Sequence, residues 1–192
     1  MTLHPVLLHA AEGRLPEWAE AGPVRREHVA RVADLLGEWA GQMSLPDAER
    51  LRWRAAGVLH DALRDADPET LRDRVPPGLN RLPGPVLHGP AAAERLRVEG
   101  VLDGAFLTAV SFHTVGSERL DRMGRALYCA DFLEPGRDFL NDWRAELRAR
   151  VATDVNGVTT EIVAARLKHL IDRGLPFLPN TVKFWNALKA GR

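Results

Sequence analysis

Six residues spread along the chain have the chemistry of metal ligands: His28, the adjacent His60 and Asp61, His88, His113 and Asp131. Imidazole and carboxylate donors together suit iron, manganese, cobalt, nickel or zinc. The single cysteine, Cys129, argues against a thiolate zinc site and permits no intrachain disulfide. Four of these ligand candidates fall on faces that otherwise read as core. His28 lies in the stripe Val24, Val32, Leu35, Trp39, spaced as one side of a helix. His60 follows Trp53 and Ala56, and His113 follows Phe106 and Ala109, at the same helical offsets. Asp131 follows Met123 and Leu127 in the same way, and a buried carboxylate is costly unless it is paired or holds a metal. One inward histidine is ordinarily a satisfied core residue, but four anomalies on separate helices call for a common cause.

His60 and Asp61 leave a helix about 100° apart, yet at a helix end both can reach one ion, and a carboxylate has two oxygens with which to bridge a pair. In "VLHGP", His88 stands where a helix is about to start, with Gly89 near the cap and Pro90 in the first turn. Backbone N–H groups at such a mouth favour anions. Six ligands of this kind can hold two adjacent divalent ions, and such a pair clamps a phosphate and generates a hydroxide nucleophile at neutral pH. His4 and His9 read as surface or local packing, His169 as exposed beside Lys168 and Arg166, and Cys129 as a small buried residue. No glycine-rich nucleotide loop, nucleophile elbow or H-E-x-x-H pair is present.

The elements that must position these residues are helices. Pro23 opens the first long one, and Ser44 or Asp47 is a candidate cap for the one that ends on His60. Shorter helices follow over about 91–97, from Asp103 to near Gly116, and from about 117 to the stop at Pro135 and Gly136. Two amphipathic segments occupy about 137–152 and 154–173, and a last helix starts with Asn180 as its cap. Trp39, Trp53 and Trp143 are expected in the core. The stretch "RVPPGLNRLPGPVLHGP" carries too many prolines for a regular helix and is too apolar for a linker, so it reads as an ordered loop. The reading is an all-α single domain over 1–192, with a metal-site core over about 23–140 and C-terminal helices over about 141–192.

Composition narrows the class. Apolar residues make up 45% and charged residues 27% of 192, ordinary for a globular protein with a real core. Twenty-six basic residues balance 26 acidic ones, so no global field favours DNA or an anionic membrane. No apolar run approaches the roughly 18–20 residues of a membrane span, and the N-terminus does not read as a signal peptide. Cytoplasm is the expected location.

"REH", then "LHD", then a downstream "AD" resembles the HD-domain phosphohydrolase superfamily. "VLHGPAAAERL", "SFHTVG", "LYCADFLEPGRDF" and the closing "LPNTVKFWNAL" resemble its YqeK-type branch, so the likeness runs from about Pro23 to Leu188. The resemblance implies an HD-type helical bundle and a symmetrical bis(5'-nucleosyl)-tetraphosphatase that splits diadenosine tetraphosphate into two ADP with a pair of iron-type divalent metals. Carried over by motif, the metal ligands are His28, His60, Asp61, His88, His113 and Asp131, with Asp61 bridging, and Thr114 and Arg137 lie near the phosphates.

The chain departs from the family's H-D-x-x-K pattern at Arg64, where a lysine is usual. Arginine keeps the charge and grips phosphate oxygens bidentately, but it is longer, planar and no proton donor near neutral pH. Arg64 is expected to bind phosphate, the alternative being a solvated arginine paired with Asp65 or Asp67. With Arg137, it is expected to steady charge on the bridging oxygen and the departing ADP. Other readings stay open: another HD-type nucleotidase or alarmone hydrolase, or a helical module that keeps metal or nucleotide without turnover. The partner is a small nucleotide, and a homodimer is compatible with the sequence but not specified by it.

Overall fold

The helix that carries Asp131 is buried almost end to end, from Met123 to Leu133, and the other helices gather around it. In the computed structural model, which describes residues 3–191, this is α7 (Arg122–Leu133). Before it come α1 (Pro5–Ala11), α2 (Pro23–Gln42), α3 (Asp47–Leu59), α4 (Pro68–Arg72), α5 (His88–Val98) and α6 (Gly104–Phe112). After it come α8 (Asn141–Arg150), α9 (Val155–Asp172) and α10 (Pro179–Lys189), and a 3-10 turn at Gly84–Val86 precedes α5. There is no strand among the described residues, as the all-α reading expects. α7 packs against α2, α3, α6, α8 and α9, so ligands from several helix ends can converge on it.

The α2–α3 pair is the tightest. Gly57 has no side chain because a Cβ there would lie 2.5 Å from the Ala33 Cα. Trp39 and Trp53 are each 1% exposed, and truncating either to alanine would cost about 3–5 kcal/mol. Trp143 is only partly covered and packs at the margin of the core, unlike its expected place inside it.

Several boundaries differ from the sequence reading. α1 was not foreseen; His4 caps it, its Nδ1 accepting from the Val6 N–H at 3.3 Å. Pro46, rather than Ser44 or Asp47, occupies the cap of α3, because Ser44 is taken up by a left-handed turn at φ 53°. Val24 is 79% exposed, so the buried stripe of α2 runs through His28, Val29, Val32, Leu36 and Trp39. α5 starts at His88 itself, since Leu87 in the cap is already helical, and α8 starts at Asn141 rather than near 137. Pro179 opens α10, which places Leu178 and not Asn180 at the cap. The proline-rich stretch is an ordered loop, as expected, with the 3-10 turn inside it.

Candidate metal centre

Three of the histidines are fixed by one local rule. His60 and His113 stand in the cap position just beyond the ends of α3 and α6. There the ring can fold back on the last turn, and the Nδ1–H of each donates to the carbonyl three residues earlier: Gly57 and Val110, both at 2.8 Å. His88 does the same to Pro85 at 3.0 Å from the opposite kind of terminus, the start of α5. Gly89 beside it lets the start of α5 lie close against the end of α6, because a Cβ there would lie 2.8 Å from the Val110 carbonyl. His28, in mid-α2, has Nδ1 3.2 Å from Glu134 Oε1. With Nδ1 committed as donor to a carbonyl, each of the three rings presents a lone pair at Nε2, and hydrogen-bonded rings of this kind are typical supports for metal ligands.

All six ligand candidates of the sequence come together, and all are buried. Asp61 is the hub. Its Oδ1 lies 3.0 Å from His88 Nε2 and 3.4 Å from His113 Nε2. Its Oδ2 lies 3.6 Å from His60 Nε2 and 3.7 Å from His28 Nε2. Asp131 Oδ1 is 3.3 Å from His28 Nε2. Ligand atoms of His28, His60 and Asp131 lie within 4.8 Å of one another, as do those of His60, Asp61 and His113.

This arrangement suits cations better than it suits itself. His28 Nε2 and His60 Nε2 are buried without a hydrogen-bond partner among the described residues. The Nε2 atoms of His88 and His113 face each other at 3.1 Å, each the acceptor end of its ring. Two lone pairs at that distance repel unless a proton or a cation is shared between them. The Thr114 hydroxyl, 3.0 Å from His113 Nε2, can satisfy only one of the two. The residues therefore fit divalent metal, and the His/Asp clusters could hold it.

The surrounding charges set the protonation states. Burial pushes His60 down to about 4, so it is neutral at pH 7, and burial likewise lowers His88. Burial also opposes charge on His28, but Asp131 and Glu134 outweigh it and raise that group. Asp61 is held well below the usual carboxylate range, since the surrounding histidines overcome the burial penalty. Asp131 is lowered against burial by His28 and Arg137, and Glu134 is lowered to about 2 against burial by His28 and Arg31.

Around the hub the chain places arginines. Arg25 Nη1 donates to Asp61 Oδ2 at 2.7 Å, Arg137 Nη2 to Asp131 Oδ1 at 2.6 Å, and Arg31 Nε to Glu134 Oε2 at 2.6 Å. Arg166 reaches from α9, with Nη1 donating to the Thr114 carbonyl at 2.8 Å and Nη2 3.9 Å from Asp131 Oδ2. Arg64 is half-buried, lines the cavity of about 370 Å3 around the hub, and its side chain makes no hydrogen bond or ion pair among the described residues. It is therefore not paired with Asp65 or Asp67; Asp65 accepts from the Gly22 N–H instead. The expected Thr114 and Arg137 line the cavity as well.

Sequence reasoning missed Arg25, Arg31, Glu134, Arg144 and Arg166. The first three stand three residues from a ligand candidate on the same helix or just beyond it, a spacing that marks a shared face. Arg144 is 1% exposed and has no carboxylate partner among the described residues; it donates to the carbonyls of Phe132, Glu134, Arg137 and Phe139, and so holds the loop after α7 in shape. No local signal marks Arg144 or Arg166. His169 is exposed, as read, and Cys129 is buried with its thiol pushed up to about 12 by burial.

Residues 25–154 match the family model described as "HD domain". A symmetrical bis(5'-nucleosyl)-tetraphosphatase of Halalkalibacterium halodurans is 26% identical over 170 residues, covering 85% of this chain and 88% of that protein. The protein of the same name from Bacillus subtilis is 26% identical over 150 residues, covering 75% of this chain and 80% of its own. That of Staphylococcus aureus is 29% identical over 133 residues, covering 66% and 64%. Among solved structures, a predicted HD superfamily hydrolase involved in NAD metabolism, from Clostridium acetobutylicum, superposes over 100% of both chains with a TM-score of 0.76 at 25% identity.

Proposed function

The chain belongs to the HD domain family and is a hydrolase related to symmetrical dinucleoside tetraphosphatases, and on that footing we propose that it splits diadenosine tetraphosphate into two ADP. The observation that carries the reading is the inward convergence of four Nε2 atoms on Asp61, ringed by arginines. His28, His60, Asp61 and Asp131 would hold one divalent ion, and His88, His113 and the other oxygen of Asp61 a second. Iron is the expected pair, with manganese, cobalt, nickel or zinc as alternatives. When bound, such ions supply Lewis-acid charge and lower the pKa of water near neutrality.

The chain's own groups do the rest. Arg64, whose side chain has no partner among the described residues, and Arg137, at the edge of the cavity, bind the phosphate oxygens and steady the charge that develops as the anhydride opens. Thr114 offers a hydroxyl beside His88 and His113, 3.5 and 3.0 Å from their Nε2 atoms, which orients a phosphate oxygen. A water oxygen bonds to one central phosphorus, the bond from that phosphorus to the middle bridging oxygen breaks, and the two halves leave as ADP. The water's two protons end on the products or in solvent. No helix among the described residues is long and apolar enough to cross a membrane.

Chromatography of the products from diadenosine tetraphosphate tests the reading. Two ADP per substrate is the expected result. ATP plus AMP, or no turnover, contradicts it; turnover of a mononucleotide or an alarmone in its place would assign the site to another HD chemistry.

A further inference from the structure

Beside the metal cavity lies a second one of different character. It occupies about 470 Å3 between the end of α7, the following loop and α9, within the usual size range of small-molecule pockets. Its walls are Phe132, Phe139, Leu140, Ala165, Arg166 and His169, and apolar surface dominates. Arg166 belongs to both cavities: it donates to the Thr114 carbonyl on one side, and its guanidinium lies 5.4 Å from the Phe132 ring centre on the other. The two spaces are therefore joined at a cationic side chain.

Resting on the phosphohydrolase reading above, we propose that this cavity is the subsite for one nucleoside of the substrate, with its base stacked on Phe139. Three observations support it. Phe139 is preorganised yet open. The Arg144 guanidinium stands 4.6 Å from its ring centre, and the Phe132 ring meets it edge-on at 5.6 Å, while 40% of the residue stays exposed. A fixed aromatic face with a cation nearby is how proteins hold bases without reading their hydrogen bonds.

The loop also has the polarity of a nucleotide. Arg137 binds at the metal cavity and Phe139, two residues on, lines the apolar one, a separation of at most about 7 Å of chain. The anionic end and the aromatic end of one nucleotide have matching places along it. Finally, Leu140 is held left-handed, at φ 47° and ψ 44°, with 62% of it exposed. A branched apolar residue is disfavoured in that conformation and gains little burial from it, whereas a wall for a ligand's apolar face gives it a use. The second nucleoside would leave by the opposite flank, past Arg64.

Equilibrium binding of ADP and of inorganic pyrophosphate to the protein as isolated separates base from phosphate recognition. The variants are Phe139→Ala, and Ala165→Leu, which narrows the cavity from α9 without touching the loop. The expected result is a selective loss: ADP weakened about tenfold, as removal of one stacking partner implies, with pyrophosphate within twofold of wild type and metal content unchanged. Phe139→Tyr should bind ADP like wild type. The subsite stands if either alanine-side or cavity-filling variant loses ADP selectively, and falls if neither does. It also falls if wild-type protein binds ADP no better than pyrophosphate, or if either variant only dissociates a dimer, which would give the cavity to a second copy. Failure of the parent reading shows differently, as wild-type protein that does not turn over diadenosine tetraphosphate.

Discussion

Arg144→Met tests whether the loop that shapes the site is held by one buried cation. Methionine keeps much of the apolar stem of the arginine and removes all of its donors. The guanidinium donates to four carbonyls, and the bonds to Phe132 and Glu134 are fully buried. Each buried carbonyl stripped of its donor costs about 1–3 kcal/mol. The Glu134 carbonyl keeps a long contact from the Arg137 N–H at 3.4 Å, and the two outer carbonyls can turn to water, so a total near 3 kcal/mol is expected. For a chain of this length that is a fall in Tm of about 6–12 °C, read by thermal scanning. Turnover should fall further than stability explains at a temperature where the variant is fully folded, because Glu134 orients His28 and Arg137 meets Asp131 from the same loop. A Tm within 2 °C of wild type together with unchanged turnover would refute the reasoning.

The other predictions follow from single contacts. Arg64→Ala should lower turnover at least tenfold with metal content unchanged, since the Arg64 side chain lines the cavity without a partner among the described residues; elemental analysis beside rates checks it, and an unchanged rate would make Arg64 a bystander. Leu140→Asn should raise Tm by about 2–4 °C, because asparagine tolerates the left-handed conformation, while ADP binding weakens. Asp103 accepts two bonds from Arg52, at 2.6 and 3.0 Å, and although burial opposes it, that arginine holds its carboxyl below the usual range. Its contribution to stability is therefore present above the ordinary carboxylate pKa and is lost as pH falls through the lowered one. Asp103→Asn should be about 1–2 kcal/mol less stable than wild type at pH 7 by urea titration, with the gap closing in acid.

Four of the six ligand candidates were legible because each broke a pattern, whereas Asp61 and His88 were found by their neighbours in sequence. His60, His113 and Asp131 sat where helical spacing demanded apolar residues, and a chain tolerates that only for a use. The helices of the bundle were legible for the complementary reason, since Val32, Trp39, Trp53 and Phe106 repeat at helical intervals and are buried. Caps were less so: Pro46, Leu87 and Leu178 occupy positions where a polar side chain is the usual signal, and the start of each helix is set by tertiary packing instead. Arg144 and Arg166 were invisible. A buried arginine bonded to carbonyls leaves no spacing rule, and Arg166 meets Asp131 only because α9 packs across α7. The apolar cavity beside the site was hidden likewise, since Phe139 and Ala165 are neighbours only in the fold.

The central claim is that six inward ligands hold a pair of divalent ions with Asp61 between them. Elemental analysis of purified wild type and Asp61→Ala, after exposure to the same divalent metals, tests it most directly. The account predicts about two ions per wild-type chain and a collapse of that occupancy in the variant, because each Asp61 oxygen faces a different pair of histidines. A folded Asp61→Ala protein that still carried both ions would contradict it.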